Sequence, residues 1–153
     1  MDPVKLLKQQ HREVEALFKK VGKAEEADER RRLMEEIGQK LTLHTKIEEE
    51  IFYPALREAP AKKAEEMVLE AYEEHHVVKL VLADLPNVDP DDERFEAKMT
   101  VLEELVEHHV EEEEDEMFKL VDKLDDDEIE AIGDRMAEAA ERAGAPVGKK
   151  RVA

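Results

Sequence analysis

Apolar positions recur every three or four residues along nearly the whole chain, and no stretch alternates apolar with polar as a half-buried strand does. The first run opens where Asp2 can cap and Pro3 can stand at the first helical position, and it stops at Gly22. A second extends from about Glu26 to the Pro54–Pro60 region, with Leu33, Met34, Ile37, Leu41, Ile47 and Ile51 inward. A third starts near Pro60 and ends before Pro86. In "NVDPDDERF", Asp89 is expected to cap and Pro90 to open a fourth helix that reaches about Leu124. Asp125 and Glu128 have the spacing of a capping box for a shorter fifth helix, ended by Gly144-Ala145-Pro146. Four long helices with short connections predict an all-α fold. It is an antiparallel up-down four-helix bundle with the short fifth C-terminal helix on its outside. One domain over residues 1–146 and a disordered tail at 147–153 are expected.

Composition narrows the function. A chain of 153 residues suits one hydrophobic core. The formal charge of −18 disfavours nucleic acid and anionic lipid as partners and favours cations; the basic cluster Lys149-Lys150-Arg151 is too short to reverse it. No apolar run is long enough to span a membrane, and Met1-Asp2-Pro3 leads straight into an amphipathic pattern rather than a signal peptide. Cysteine is absent, which removes disulfides, thiolate metal sites and a cysteine nucleophile. A cytoplasmic location is the expectation.

One segment sits awkwardly in a plain bundle. "HHVEEEEDEMF", residues 108–118, places two histidines before six consecutive acids in the middle of a helical run. Such a run is ordinarily a solvated face. The six histidines of the chain, at 11, 44, 75, 76, 108 and 109, give each long helix at least one. His44 is followed four residues later by Glu48, and His109 by Glu113, so each pair projects from one helical face. "HTKIEEEIFYP" from residue 44 aligns without a gap on "HVEEEEDEMFK" from residue 109. His11 and His75 carry apolar residues at the same offsets: Val14, Leu17, Phe18 and Val21 after the first; Val78, Val81, Leu82 and Leu85 after the second. The chain therefore reads as two related halves. The repeat selects His11, His44, Glu48, His75, His109 and Glu113, and leaves His76 and His108 at the edge of the core.

A lone histidine on an apolar face is ordinarily a hydrogen-bonded core residue. Four of them with two carboxylates are harder to place, because burying that set without a cation costs several kcal/mol in desolvation. A metal would offset the cost. Imidazole mixed with carboxylate suits iron and manganese, whereas closed zinc sites use fewer ligands. On this reading Glu113 is the inward acid of the run, and Glu111, Glu112, Glu114, Asp115 and Glu116 form a mostly solvated face.

These segments ("HREVEALF", "LTLHTKIEEEIFYPAL", "YEEHHVVKLVLADL" and "EHHVEEEEDEMF") resemble the hemerythrin-like family, the HHE cation-binding domain, over roughly residues 4–124. The order H…HxxxE…H…HxxxE carries the resemblance. It implies a four-helix bundle with two oxo- or hydroxo-bridged non-haem irons, held by His11, His44, Glu48, His75, His109 and Glu113, with the glutamates bridging. Iron is implied ahead of manganese or zinc. The oxygen carriers of the family resemble H…HxxxE…HxxxH…HxxxxD. Here Lys79 stands where the fifth imidazole would be, and Glu114 where the aspartate would be. The sequence is closer to the bacterial branch, associated with peroxide, nitric oxide or redox responses. Tyr72 is the first candidate to fill the vacant position and Tyr53 the second. The function expected is binding or reduction of a small-molecule oxidant, with catalase-like peroxide turnover ahead of oxygen carriage. The alternatives are a metal-stabilised sensor or interaction module and a ferritin-like iron oxidase, for which only Glu73-x-x-His76 fits the motif.

Overall fold

The computed structural model describes residues 1–144, all of whose regular elements are helical. Helix α1 spans Pro3–Lys23 and α2 Ala27–Ile47. A π-helical turn, Glu48–Phe52, then leads into the short α3, Tyr53–Arg57. Helix α4 covers Ala64–Asp84, α5 Glu93–Asp115 and α6 Asp126–Arg142, and a 3₁₀ segment, Met117–Lys123, joins the last two. The expected tail at 147–153 and the domain end at 146 lie outside the described residues. None of the described helices is long and apolar enough to cross a membrane.

The Asp2 carboxylate caps α1 by accepting from the backbone N–H of Val4 at 2.9 Å and of Lys5 at 3.3 Å. The fourth long helix starts later than the sequence suggested, at Glu93 instead of Pro90, with Asp92 as its cap. Asp89 instead closes a turn, accepting from the backbone N–H of Asp91 on its carboxylate and of Asp92 on its carbonyl. Arg30 on α2 holds that turn through Pro90 O and the Asp91 carboxylate, so those acceptors face the guanidinium and not a following helical turn. The same helix ends at Asp115, short of Leu124. The apolar pairs Met117-Phe118 and Leu120-Val121 repeat every three residues, which a 3₁₀ coil turns onto one side; all four are buried. Asp125 occupies the cap position of α6, but no side-chain cap bond forms, so the capping box with Glu128 is not made.

Two apolar clusters fill the interior. One gathers Leu6, Leu7, Ile47, Phe52, Leu56, Val68 and Phe118, and the other Val14, Phe18, Ile37, Leu41, Val78, Phe95 and Leu102. Helix α6 packs on α1, α2 and the π turn and adds Ile132, Met136 and Ala140 to the first cluster, so it closes that end of the core as well as lying outside it. It sits close enough that a Cβ at Gly133 would meet the Met1 carbonyl oxygen. In sequence His11 lies between Leu7 and Val14, His44 between Leu41 and Ile47, and His75 between Ala71 and Val78, so the polar residues fall at the level between the two clusters.

Candidate metal centre

All six residues selected by the internal repeat are buried, and no other charged or histidine side chain among the described residues is. His11 comes from α1, His44 from α2, Glu48 from the start of the π turn, His75 from α4, and His109 and Glu113 from α5. Of the acidic run, Glu113 alone is buried, at 1 % exposure. His76 and His108 are exposed, because each faces about 100° away from its buried neighbour on the helix.

The buried donors converge. Glu48 Oε1 lies 3.2 Å from His44 Nε2 and 3.0 Å from His75 Nε2. Glu113 places Oε1 3.0 Å from His11 Nε2 and Oε2 3.2 Å from His109 Nε2. The Nε2 atoms of His75 and His109 are 3.2 Å apart. Two groups of donors result: His11, His44, Glu48 and Glu113; and Glu48, His75 and His109. Glu48 belongs to both, and Glu113 reaches a histidine of each with a different oxygen.

Every histidine also has a partner on its outer nitrogen. Nδ1 of His11 donates to Glu114 at 2.7 Å, of His44 to Gln10 Oε1 at 2.6 Å, of His75 to Glu49 at 2.7 Å, and of His109 to Glu74 at 2.6 Å. These acceptors fix the proton on Nδ1 and turn the Nε2 lone pair inward, the arrangement that metal-bound imidazoles adopt. Arg12 holds Glu114 from outside, and Lys79 holds Glu49 at 2.8 Å. Lys79 therefore stands outside the buried set, two contacts away from it.

The residues fit a pair of cations. His11 Nε2, His44 Nε2, Glu48 Oε2 and Glu113 Oε1 are buried without a hydrogen-bond donor. Lone pairs facing one another near 3 Å repel unless positive charge lies between them. Two ligands held at about 2.1 Å and a right angle on one ion have donor atoms about 3 Å apart. Electrostatics agrees. Burial pulls the His109 imidazole down, yet the Glu113 charge and bonds to Glu113, Glu48 and Glu74 outweigh it and hold its pKa well above the usual value. His11 is raised in the same way, burial again being outweighed by Glu113. Glu48 is held well below the carboxylate range: burial opposes this, but the His44 charge and hydrogen bonds at its oxygens prevail.

The tyrosines separate. Tyr72 donates its hydroxyl to the Glu49 backbone carbonyl at 3.0 Å, away from the buried donors. Tyr53 places its hydroxyl among them, donating to Glu113 Oε2 at 2.6 Å and lying 3.1 Å from Glu48 Oε1, 3.2 Å from His75 Nε2 and 3.1 Å from His109 Nε2. The order expected between the two rests on the place of Tyr72 three residues before His75. In the π turn the Tyr53 N–H bonds back five residues to Glu48 O, which lines residue 53 up behind residue 48. Burial, then the Glu113 and Glu48 charges, raise the Tyr53 hydroxyl well above its usual pKa, so it keeps its proton.

Gln10, Glu49 and Glu74 are missing from the residues selected by sequence, and Glu114 was assigned there to a solvated face. The signal for all four was present. Gln10 and Glu74 directly precede His11 and His75, and Glu49 and Glu114 directly follow Glu48 and Glu113, so the repeat extends by one residue on each helix. The repeat is broken at Gln10 against Glu74, and at Tyr53 against Phe118, whose ring stacks on His11 with centroids 6.1 Å apart. A cavity of about 20 Å³ lies against the four histidines, walled by Val14, Leu41, Val78 and Val106.

The family model described as "Hemerythrin HHE cation binding domain" matches residues 2–121. The chain is 30 % identical to Rv2633c of Mycobacterium tuberculosis and to Mb2666c of Mycobacterium bovis, over 93 % of its own length and 87 % of theirs. Among solved structures it resembles a hemerythrin HHE cation-binding domain-containing protein of Mycobacterium kansasii, a homologue of Rv2633c. That match has a TM-score of 0.81 and 28 % identity, and covers 94 % of this chain and 87 % of the other.

Proposed function

The chain belongs to the hemerythrin HHE cation-binding domain family, and from that premise we propose that it is a non-haem di-iron protein acting on a small oxidant. Its four long helices, in antiparallel up-down order, hold the two irons through His11, His44, Glu48, His75, His109 and Glu113. The observation that carries the proposal is the set of four imidazoles with Nδ1 engaged outward and Nε2 converging on two carboxylates, each with one oxygen that lacks a donor. Bound there, a pair of irons supplies electrons to, or takes them from, dioxygen, peroxide or nitric oxide.

The chain's own residues set the conditions. Glu48 and Glu113 each face histidines of both halves, so each would be shared between two metals bound there. Outer carboxylates on His11, His75 and His109 raise imidazole basicity and favour the oxidised state, whereas Gln10 leaves His44 with a neutral partner. Tyr53 Oη carries a retained proton directed at Glu113 and offers a phenol oxygen among the buried donors. The cavity of about 20 Å³ against the four histidines has room for a molecule near the size of water. The exposed Glu73 and His76 do not support the ferritin-like alternative. Phenol in place of imidazole favours peroxide consumption over reversible oxygen carriage.

The test is peroxide consumption with oxygen evolution by the di-ferric protein, measured against equimolar free iron. Faster turnover by the protein is expected. A stable, reversibly deoxygenated adduct of the di-ferrous protein, together with no peroxide consumption, would place it among the carriers instead.

A further inference from the structure

Three acids of the run have three different surroundings: Glu113 faces inward, Glu114 backs His11, and Glu112 lines a pocket on the α4–α5 seam. That pocket encloses about 270 Å³, and His109 and Glu113 form part of its lining. Glu113 is a carboxylate with no side-chain exposure; its Oε2 stands 3.2 Å from His109 in the same lining, and its unpartnered Oε1 faces His11 within the centre, so the pocket leads from solvent to a buried carboxylate of the metal centre. Its walls carry Glu66, Glu70 and Glu74 at four-residue spacing on α4, facing Glu112 and Glu116 at the same spacing on α5, with Lys63 as the one lysine among these five outer acids. Glu74, His108 and Glu112 bring donor atoms within 4.8 Å of one another, and Glu74 also accepts from His109 Nδ1.

The internal repeat supplies an independent comparison. The residues of the first half that match Glu70, Glu74, Glu112 and Glu116 are Leu6, Gln10, Ile47 and Ile51. Leu6, Ile47 and Ile51 belong to the apolar cluster that α6 completes. One seam of the repeat is thus apolar and sealed, while its counterpart is open and lined with glutamates. Facing carboxylates are unfavourable to the fold; burial and the Glu74 charge raise the Glu112 carboxyl above its usual pKa. Other open pockets on this acidic chain are also lined by carboxylates, but neither the one at Asp91–Glu93 nor the one at Asp122–Glu130 has a donor of the buried centre in its lining, as this seam does in His109 and Glu113.

We infer that the α4–α5 pocket is the entrance through which divalent cations load the centre, with Glu74, His108 and Glu112 as a transient outer cation site. The inference rests on the metal-binding reading above. Carboxylate walls concentrate cations at the mouth, and Glu74 delivers them beside His109.

The test follows Co(II) uptake by metal-free protein, by stopped-flow absorbance of the bound ion under anaerobic conditions. The variant Glu70→Gln/Glu116→Gln removes two wall charges and touches no buried donor. Glu104→Gln/Glu107→Gln removes two exposed charges elsewhere on α5 as the control. Uptake by the wall variant is expected to slow at least about fivefold and the control by less than about twofold. Final stoichiometry and spectrum should stay unchanged, and the unfolding midpoint of the metal-free wall variant should be no lower than wild type. Equal slowing in both variants would reduce the effect to overall charge and overturn the entrance, as would unslowed uptake by the wall variant. If wild type takes up no Co(II) or Fe(II), the metal-binding reading itself fails; normal loading with indifferent walls removes the entrance alone.

Discussion

The four buried acceptors without donors make metal loading a large stability change. His11 Nε2, His44 Nε2, Glu48 Oε2 and Glu113 Oε1 are sealed from water and unpaired. A buried polar atom in that condition costs about 1–3 kcal/mol. His11 Nε2 and Glu113 Oε1 stand 3.0 Å apart and share a proton when His11 is charged, so the two atoms left over hold the metal-free protein roughly 2–6 kcal/mol below its potential stability. Cations between them remove the penalty. At the low end of that range the unfolding midpoint rises by roughly 4–8 °C for a chain of this size. The assay compares calorimetric or far-UV melting of chelator-treated protein with the same sample reloaded anaerobically with Fe(II). A variant sharpens the test. His11→Leu/Glu113→Leu deletes two of the four acceptors and replaces them with apolar volume, as in buried ion pairs exchanged for hydrophobic residues. Metal-free, it should be more stable than metal-free wild type by about 1–4 kcal/mol, and it should gain little from iron. Glu114 loses its imidazole donor in this variant but keeps Arg12, and Tyr53 keeps Glu48. Equal midpoints for loaded and metal-free wild type, or a metal-free double variant several degrees less stable than wild type, would refute the reasoning.

Tyr53→Phe should leave the metal count unchanged but lower metal-free stability by about 1–3 kcal/mol, because Glu113 loses its closest donor; urea unfolding checks it, and an unchanged midpoint would mean that the hydroxyl is idle. Metal loading should release protons, and more of them as pH falls, since metal needs the neutral imidazole and the raised His109 and His11 keep their protons to higher pH than a free imidazole does; an indicator dye in weak buffer reads it. These raised groups stabilise the metal-free fold fully below the unfolded imidazole value near 6.5. That contribution fades as pH rises through their higher folded values, so metal-free stability from this source should fall above neutrality, and a rise there would contradict the assignment. Gly133→Ala should destabilise by about 1–3 kcal/mol despite alanine's helix propensity, because its Cβ would collide with the Met1 carbonyl; a stabilised variant would mean that the N-terminus does not pack there.

The helical periodicity located the four long helices, because a regular apolar stripe is set by local spacing, although the second and fourth end earlier than expected, at Ile47 and Asp115. The ends were less legible. Whether Asp89 or Asp92 caps α5 depends on Arg30 reaching across from α2, a contact that sequence spacing does not reveal. The convergence of His11, His44, Glu48, His75, His109 and Glu113 followed from the repeat, since two equivalent halves must present equivalent faces to one another. The same repeat, extended by one residue, would have drawn in Gln10, Glu49, Glu74 and Glu114. Tyr72 comes first in sequence by its place three residues before His75, whereas the π turn that lines Tyr53 up behind Glu48 has no such signal. No composition rule for such a turn is visible in "EEEIFYP".

Metal content under anaerobic Fe(II) loading, determined by elemental analysis on wild type, Glu112→Ala and Glu113→Ala, tests the central claim most directly. Two irons per chain are predicted for wild type and for Glu112→Ala, whose side chain is exposed, and a loss of at least one for Glu113→Ala, whose carboxylate faces histidines of both groups. A wild-type value near zero with helical content intact, or metals lost with Glu112 and kept without Glu113, would contradict the account.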